Sequence, residues 1–556
     1  MHVEKLGDLR ANMDGMTSQK VNKPVEISPL RPRYAEKTPP CVSHCPNEAD
    51  IRGWLTTIAQ AEAYGRTDEQ ALELAWRKIT DLNPFPAICG RVCPHPCEAE
   101  CNRKDKDGPV AINALERFVG DFGIARGLRL TRSSEDKHQD RIAVVGSGPA
   151  GLSCAYQLCR RGYPVIVYEA FSEPGGMLRY GIPRYRLPGK VLDAEIQRIL
   201  DLGVELKCGV IVGKDIPLEE LRQKCKAIFV GIGAHKGQKL GVPGEDAVNV
   251  LTGVEFLNHI NSGEPMQVGS SVLVIGGGDT AIDAARISRR LGAEVTILYR
   301  RTRAEMPAIA REIDGALEEG VAIEFLAAPV EVLRHNDKAI GLKFIRVVLG
   351  MPDSSGRPQP VPLPGSEFEM QASTIVVAVS QEPDFTPLTG LEKGKVRIQT
   401  DEWGATGDAG IYAGGDDLAL ALVSTAVYQG RLAAQAIEAH LRGGDPAKSA
   451  THPPADRVIA DWHMEAERHE RQRLPLEQRD MNAEIEQGLS QEEALEEARR
   501  CMSCGMCMDC ESCWMYCTNN CFARLPKGEH YSVKIELCNG CKKCAEGCPT
   551  GYLELC

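Results

Sequence analysis

Apolar runs that alternate with glycine turns organise most of this chain. From Arg141, RIAVVGSGPAGLSCAYQLCRRGYPVIVYEA reads as an apolar strand, a Gly-rich turn, an amphipathic helix and a second apolar strand. From Ser271, SVLVIGGGDTAIDAARISRRLGAEVTILYRR repeats that design about 130 residues later. Outside these units the pattern is weaker. Residues 1–40 form a Pro-containing arm without periodicity, and residues 41–130 alternate Cys-Pro turns with helical stretches such as Gln70–Leu82. Residues 441–500, rich in charge and His, read as a linker ending in a helix, which Ser490 and Glu493 open at capping-box spacing.

Composition narrows the class. The 556 residues are 43% hydrophobic and 26% charged, as in globular proteins. An excess of 12 acidic charges repels nucleic acid and anionic membranes. The longest apolar candidate, around Leu418 to Tyr428, is too short to span a bilayer. The first thirty residues lack the apolar core of a secretory signal, so a cytoplasmic location is expected. The 22 cysteines then read as thiolate ligands rather than a disulfide framework: six lie within 41–101, four within 154–225 and twelve within 501–556.

The first glycine unit places Gly146, Gly148 and Gly151 after a strand, with Glu169 closing the second strand, where a carboxylate binds a ribose hydroxyl. The second carries Gly276, Gly278 and Thr280, and ends on Arg300 and Arg301 instead of an acid. Guanidinium groups there favour a 2′-phosphate, so NADPH is expected over NADH. Two dinucleotide folds in one chain suggest a flavoprotein that takes hydride from a nicotinamide. A disulfide reductase would need a C-x2-C pair beside the flavin, a spacing that Cys154, Cys159, Cys208 and Cys225 never take.

In the tail, Cys507, Cys510, Cys513 and Cys517 make C-x2-C-x2-C-x3-C, and Cys538, Cys541, Cys544 and Cys548 repeat it before Pro549. This is the two-cluster ferredoxin arrangement, in which the fourth cysteine of each run ligates the other cluster. One 4Fe–4S cluster would then use Cys507, Cys510, Cys513 and Cys548, and the other Cys538, Cys541, Cys544 and Cys517. Cys501, Cys504, Cys521 and Cys556 are left over and are taken as structural. Six further cysteines, Cys41, Cys45, Cys89, Cys93, Cys97 and Cys101, exceed what one zinc site needs and suit an iron–sulfur centre.

EPGGMLRYGIPRYRLP (173–188), YRRTRAEMPA (299–308) and GIYAGGDDLALALVSTAVYQGRLAA (410–434) resemble the glutamate synthase small-subunit family, over roughly residues 41–440. Its relatives include the flavoprotein half of dihydropyrimidine dehydrogenase and the NADP-binding subunit of a transhydrogenase. The resemblance implies FAD in the first fold and NADP(H) in the second. It also implies flavin contacts from Gly176, Gly415 and Asp416, and from a helix starting near Thr425. Asp279 departs from the Asn often found at its place. GRVCP implies a cluster held by Cys45, Cys93, Cys97 and Glu116. Cys41 and Cys101 match ligands of a second cluster whose two upstream cysteines are absent here, leaving one or two N-terminal clusters, with Cys89 as an alternative ligand.

The expected fold is α/β. Its parts are an N-terminal arm and helical iron–sulfur domain (1–138), an FAD fold in two parts (139–264 and 383–445), an inserted NAD(P)H domain (265–382), a linker (446–500) and an α+β ferredoxin-like domain (501–556). The expected activity is NAD(P)H:acceptor oxidoreduction: hydride passes from NADPH or NADH to FAD, and single electrons leave through clusters to a redox protein, with no catalytic side chain required. Domain order and RCMSCGMCMDC resemble the sulfite-reductase-associated iron–sulfur flavoproteins, implying dissimilatory sulfite reductase as partner and leaving a homodimer open. The alternatives are an electron-input subunit of another complex and a non-catalytic redox sensor.

Overall fold

Ile142–Val145 (β1) is apolar and buried at every position, because both faces of its sheet are covered. The computed structural model describes residues 25–353, 356–389, 391, 394, 396–448, 450–526 and 528–556, so most of the expected arm lies outside the described residues. The chain forms two units, residues 40–451 with 465–501, and residues 25–39 with 452–464 and 502–556.

The larger unit begins with short helices: Pro40–Ser43 (α1), Ile51–Ala59 (α2), Asp68–Leu82 (α3), Pro86–Val92 (α4), Pro96–Ala99 (α5) and Ile112–Ala125 (α6). In α3 the Thr67 hydroxyl accepts from Gln70 N at 3.2 Å, Asp68 and Glu69 occupy the positive first turn, and the stripe Ala71, Leu72, Ala75, Trp76 and Ile79 is buried. Helix α4 has no cap of its own. Glu195, from Gly189–Leu200 (α8) of the next domain, accepts from Ala87 N and Ile88 N at 2.9 and 3.1 Å.

The flavin fold is a five-stranded parallel sheet, ordered Ile411–Ala413 (β13), Ala227–Val230 (β4), β1, Val165–Tyr168 (β2) and Glu205–Lys207 (β3). Alternate residues separate its two faces. Ile142, Val144, Val165 and Val167 join one core with Trp54 and Trp76 of the helices, whereas Ala143, Val145 and Ile166 face a second core. Pro149–Arg160 (α7) and Val423–Leu441 (α11) pack together against the first face.

The nucleotide domain is a second five-stranded parallel sheet: Ala322–Phe325 (β8), Glu294–Tyr299 (β7), Ser271–Ile275 (β6), Thr374–Val377 (β12) and Val250–Thr252 (β5). Helix Asp279–Arg290 (α9) follows β6, and Ala310–Glu318 (α10) precedes β8. An antiparallel sheet of Ala327–His335 (β9), Lys338–Pro352 (β10) and Pro358–Gln371 (β11) is added. Because β5 pairs with β12, this domain starts near residue 250, which corrects the expected boundary between 264 and 265.

The expected linker is divided between the two units. Residues 465–489 form a strap across the larger one. Arg468 binds Glu98 at 2.7 Å, Arg91 and Arg117 bind Glu484 at 2.6 and 3.0 Å, and Arg473 donates to Arg311 O at 2.5 Å. Arg479 pairs with Glu318, the last residue of α10, at 3.0 Å. The strap leads into Gln491–Arg499 (α12), where Ser490 and Glu493 form the expected capping box.

In the smaller unit, Pro32–Tyr34 pairs antiparallel with Leu553–Leu555, and Phe522–Arg524 with Tyr531–Val533. The end of the arm therefore belongs here and not to the helical domain. This unit's core is thin: Cys513, Cys517, Cys521 and Cys548 are half of the eight buried residues in its hydrophobic cluster. Metal–thiolate bonds would supply the stability that aliphatic burial does not.

Glu195 generates a test of the helix–flavin-fold contact. Burial pushes its carboxyl from 4.5 up to about 8, against the two backbone donors. The folded chain thus holds this proton to higher pH than the unfolded chain. Its contribution to stability is full below 4.5 and declines as pH rises toward about 8. Glu195→Gln removes the titration, so its melting temperature is expected to fall less than that of the wild type between about pH 5 and 8. Identical slopes in the two proteins would contradict this account.

Candidate functional site

The end of β1 turns sharply into α7. Gly146 adopts φ +99°, and a Cβ there would lie 2.2 Å from Gly231 O; one on Gly151 would lie 2.0 Å from Gly146 O. A Cβ on Gly148 would meet nothing within 4 Å, so that face of the loop is open. It opens into a cavity of about 450 Å³ walled by Gly146, Gly148, Glu169, Gly176, Gly415 and Asp416. Helix α7 starts at Pro149 with no side-chain cap, and α11 starts at Val423 after an uncapped Leu422, so both leave first-turn amides for a ligand. This glycine cradle between two bare helix starts fits a dinucleotide. Glu169 is buried at the cavity wall, where one oxygen accepts from Ser147 N at 2.9 Å and the other from Phe171 N at 2.8 Å. Leu422, Val423 and Ala426 line the cavity, and Thr425, the expected contact, does not.

Asp417 anchors the opposite wall. Fully buried, it accepts from Ile232 N at 3.1 Å and Gly233 N at 2.7 Å, tying the loop after β4 to the turn Gly415–Asp417 after β13. Burial pushes its carboxyl up to about 8. That anchor holds Asp416 where it lines both this cavity and a second one of about 700 Å³; Gln381 and Ala421 also belong to both. The second cavity carries Gly276, Gly278, Asp279, Thr280, Arg300 and Arg301. Helix α9 again begins without a side-chain cap.

The two arginines differ. Arg301 is 3% exposed and committed to the fold, donating to Pro358 O at 2.8 Å and Asp353 Oδ2 at 3.2 Å. Arg300 is exposed and has no ion-pair or hydrogen-bond partner among the described residues. Lys239 and Arg357 add positive charge to the same cavity, a contribution that sequence spacing did not reveal. Asp279 turns one oxygen to Ile309 N at 3.1 Å, fixing the loop before α10.

Cys45, Cys93, Cys97 and Glu116 act on one another electrostatically. Burial first, then the charge of Glu116 and more weakly Cys45, push the Cys93 thiol up to about 12. After burial and Glu98, the charges of Cys45, Cys93 and Glu116 raise Cys97. Burial lifts Glu116 to about 7 although Asn83 Nδ2 donates to it at 2.9 Å. Three thiols and a carboxyl that disfavour each other's anions in a buried site suit a metal centre. Cys89 borders this set, with its thiol 3.8 Å from Asn83 Oδ1. Cys93 Sγ is 3.9 Å from the Ser424 hydroxyl, in the α11 turn that lines the first cavity.

In the smaller unit, Cys507, Cys510, Cys513 and Cys548 line one small cavity with Tyr34, Tyr531 and Tyr552. Cys517, Cys538, Cys541 and Cys544 line another with the left-over Cys521. Backbone donors reach sulfur in the second, Cys521 N to Cys517 at 3.2 Å and Gly540 N to Cys538 at 3.4 Å.

Residues 140–430 match the family described as pyridine nucleotide-disulphide oxidoreductase, and residues 33–128 match dihydropyrimidine dehydrogenase domain II, 4Fe–4S cluster. The chain belongs to the pyridine nucleotide-disulphide oxidoreductases. Within them it belongs with the glutamate synthase small chains. It is 36% identical over 421 residues to the NADPH glutamate synthase small chain of Halomonas elongata, covering 72% of this chain and 87% of that one. It is 42% identical over 373 residues to the NADPH-Fe(3+) oxidoreductase subunit beta of Geobacter sulfurreducens, covering 66% of this chain and 54% of that one. The chain thus spans about half the length of that relative. The fold is also that of Mycobacterium tuberculosis FprA in complex with NADPH, with TM-score 0.51 and 20% identity over 55% of this chain and 85% of the other. This family member is an FAD- and NAD(P)-binding, 4Fe–4S oxidoreductase. Among the described residues no cysteine lines either nucleotide cavity, and Cys154 and Cys159 are buried in α7.

Substitution can distinguish Arg300 from Arg301. Arg300→Glu is expected to raise KM for NADPH roughly 10- to 100-fold, the range for a charge-assisted contact, with little change for NADH. Arg301→Ala is expected to lower the melting temperature instead. Equal effects of Arg300→Glu on both coenzymes would refute the assignment.

Proposed function

We propose that the chain oxidises NADPH and distributes single electrons to a protein acceptor. One observation carries this reading: the two dinucleotide cavities share the wall of Gln381, Asp416 and Ala421, while the α11 turn on the flavin side also abuts Cys93. Gly146, Gly148, Gly151, Glu169, Gly176, Gly415 and Asp416 would hold FAD. Gly276, Gly278, Thr280 and Arg300 would hold NADPH, and Arg301 would shape that site from behind. Cys45, Cys93, Cys97 and Glu116 would hold the flavin-side cluster, and the eight cysteines of the tail two more. Bound FAD supplies exchange between a two-electron hydride carrier and one-electron clusters, and the protein's part is placement, exclusion of water and tuning. We place the chain in a reducing compartment such as the cytoplasm, where thiolate ligands persist.

Two relatives support NADPH as donor, the NADPH-Fe(3+) oxidoreductase of Geobacter sulfurreducens and the NADP(+)-dependent formate dehydrogenase of Moorella thermoacetica. For the acceptor we propose dissimilatory sulfite reductase, a reading supported by the domain order and the RCMSCGMCMDC motif. Stoichiometric anaerobic NADPH should bleach the flavin absorbance, and the enzyme should reduce an artificial dye catalytically. Absence of turnover with either nicotinamide would refute the enzymatic reading. The acceptor is tested separately, by NADPH-dependent reduction of sulfite with purified sulfite reductase present. A rate no higher than without this chain would exclude that partner and leave the proposed oxidation of NADPH intact.

A further inference from the structure

Helix α11 does more than line the flavin cavity. Gly430 lets it lie close on α7, where a Cβ would meet Ala150 O at 2.1 Å, and Ala150 itself lines that cavity. The register so fixed sends three side chains toward the cysteine set of the helical domain. Ser424 reaches Cys93. One turn on, the Tyr428 hydroxyl donates to Glu48 Oε1 at 3.0 Å, and Arg431 donates from Nη2 to Asn47 O at 2.8 Å. Both partners lie in the short loop after Cys45, which closes through Glu48 N to Cys45 O at 2.8 Å. Glu48 sits at φ +49°, a conformation unfavourable for a residue with a Cβ, so the loop needs holding. Backbone amides of Ala49 and Asn47 in the same loop hydrogen-bond the Cys45 sulfur.

Arg431 is 6% exposed, and its Nε has no hydrogen-bond partner among the described residues. Its guanidinium carbon lies 5.0 Å from the centroid of the Tyr428 ring. A guanidinium stays charged at any physiological pH, and a buried charge without a counter-charge is strongly unfavourable. Of the groups acting on Arg431, the Tyr428 phenol is neutral at ordinary pH, Glu48 is exposed to solvent and Arg161 repels it. Cys45 is left. Burial raises the Cys45 thiol, and Arg431 opposes that rise. Three thiolates and a carboxylate around a 4Fe–4S core carry net negative charge, which grows on reduction, and so supply the counter-charge for this buried cation.

We propose that Arg431 is the positioning residue of the flavin-side cluster: its charge raises the cluster's reduction potential, and its bond to Asn47 O holds the loop that carries Cys45. The inference rests on the assignment of Cys45, Cys93, Cys97 and Glu116 made above and deepens it. A cation beside an anionic cluster favours the reduced form, so Arg431 eases the entry of an electron from the flavin side. A unit charge about 10 Å away, acting through an effective dielectric of about 20, changes a one-electron equilibrium roughly tenfold.

The test is an EPR-monitored redox titration of the full-length chain, reconstituted anaerobically with iron and sulfide. Cys45→Ala identifies the signal of the flavin-side cluster by removing it. Arg431→Gln, which keeps a donor and loses the charge, should lower the reduced-to-oxidised ratio of that cluster at a fixed potential about tenfold, or ~59 mV for one electron. Arg431→Lys should restore most of the difference. FAD content and the signals of the tail clusters should not move. A potential in Arg431→Gln equal to that of the wild type would overturn the proposal. So would an Arg431→Lys potential displaced as far as that of Arg431→Gln, since only shape and hydrogen bonding would then be left to the residue. If Arg431→Gln loses about four irons, Arg431→Lys decides: retained iron supports the role of the charge, and equal loss overturns it. A Cys45→Ala variant that loses no signal would defeat the cluster assignment itself, whereas an unmoved potential defeats only the role of Arg431.

Discussion

The Asp417 carboxylate is the joint on which the site depends. It bonds two successive backbone amides at the end of β4 and belongs to the turn that follows β13, so it fixes two loops of the flavin sheet against each other. A buried carboxyl in this role is unfavourable by desolvation, and its raised proton affinity records that strain. In return Asp416, the next residue back, is held where both dinucleotide cavities meet. Displacing the joint would separate the cavities without disturbing either glycine loop. Proximity of two bound carriers is the chief thing a protein of this kind provides, so its stability is placed there.

The parts legible in the sequence were those set by local geometry. A glycine loop between strand and helix needs its residues within six positions, and Gly146, Gly148 and Gly151 announce it whatever the rest of the chain does. The tail cysteines behave similarly: the crossed pairing of Cys548 with the first run and Cys517 with the second, expected from spacing, is how they line the two cavities. The division between Arg300 and Arg301 was not legible, because it depends on Asp353 and Pro358 more than fifty residues away. The strap reads as a linker in the sequence because its ion pairs join Arg and Glu across hundreds of positions and leave no periodicity. Thr425 reads as a cavity contact because sequence locates a helix start only to within a turn, and α11 begins two residues earlier.

The helical domain and the flavin fold share one hydrophobic core, with Trp54 and Trp76 in the same cluster as the β1 and β2 side chains. The cysteine set beside the flavin cavity is therefore built into the flavoprotein and not appended to it. Helix α4 makes the same point from the polar side: it ends at Cys93 and is capped at its start by Glu195 of the flavin fold. The smaller unit follows another rule. With four cysteines among its eight core residues, it has little hydrophobic driving force of its own.

The strap from residue 465 to 489 has a mechanical consequence. Its arginines and glutamates grip α10 of the nucleotide domain at one end and the helical domain at the other, through Glu318 and Arg311 on one side and Arg91 and Arg117 on the other. A nucleotide domain tethered at a single hinge can swing. One belted along its outer helix behaves as a closed jaw, and coenzyme must exchange through the mouth of its cavity. The belt is electrostatic, so dissolved ions loosen its exposed pairs and leave the sheets untouched, making ionic strength a control on jaw mobility rather than on fold.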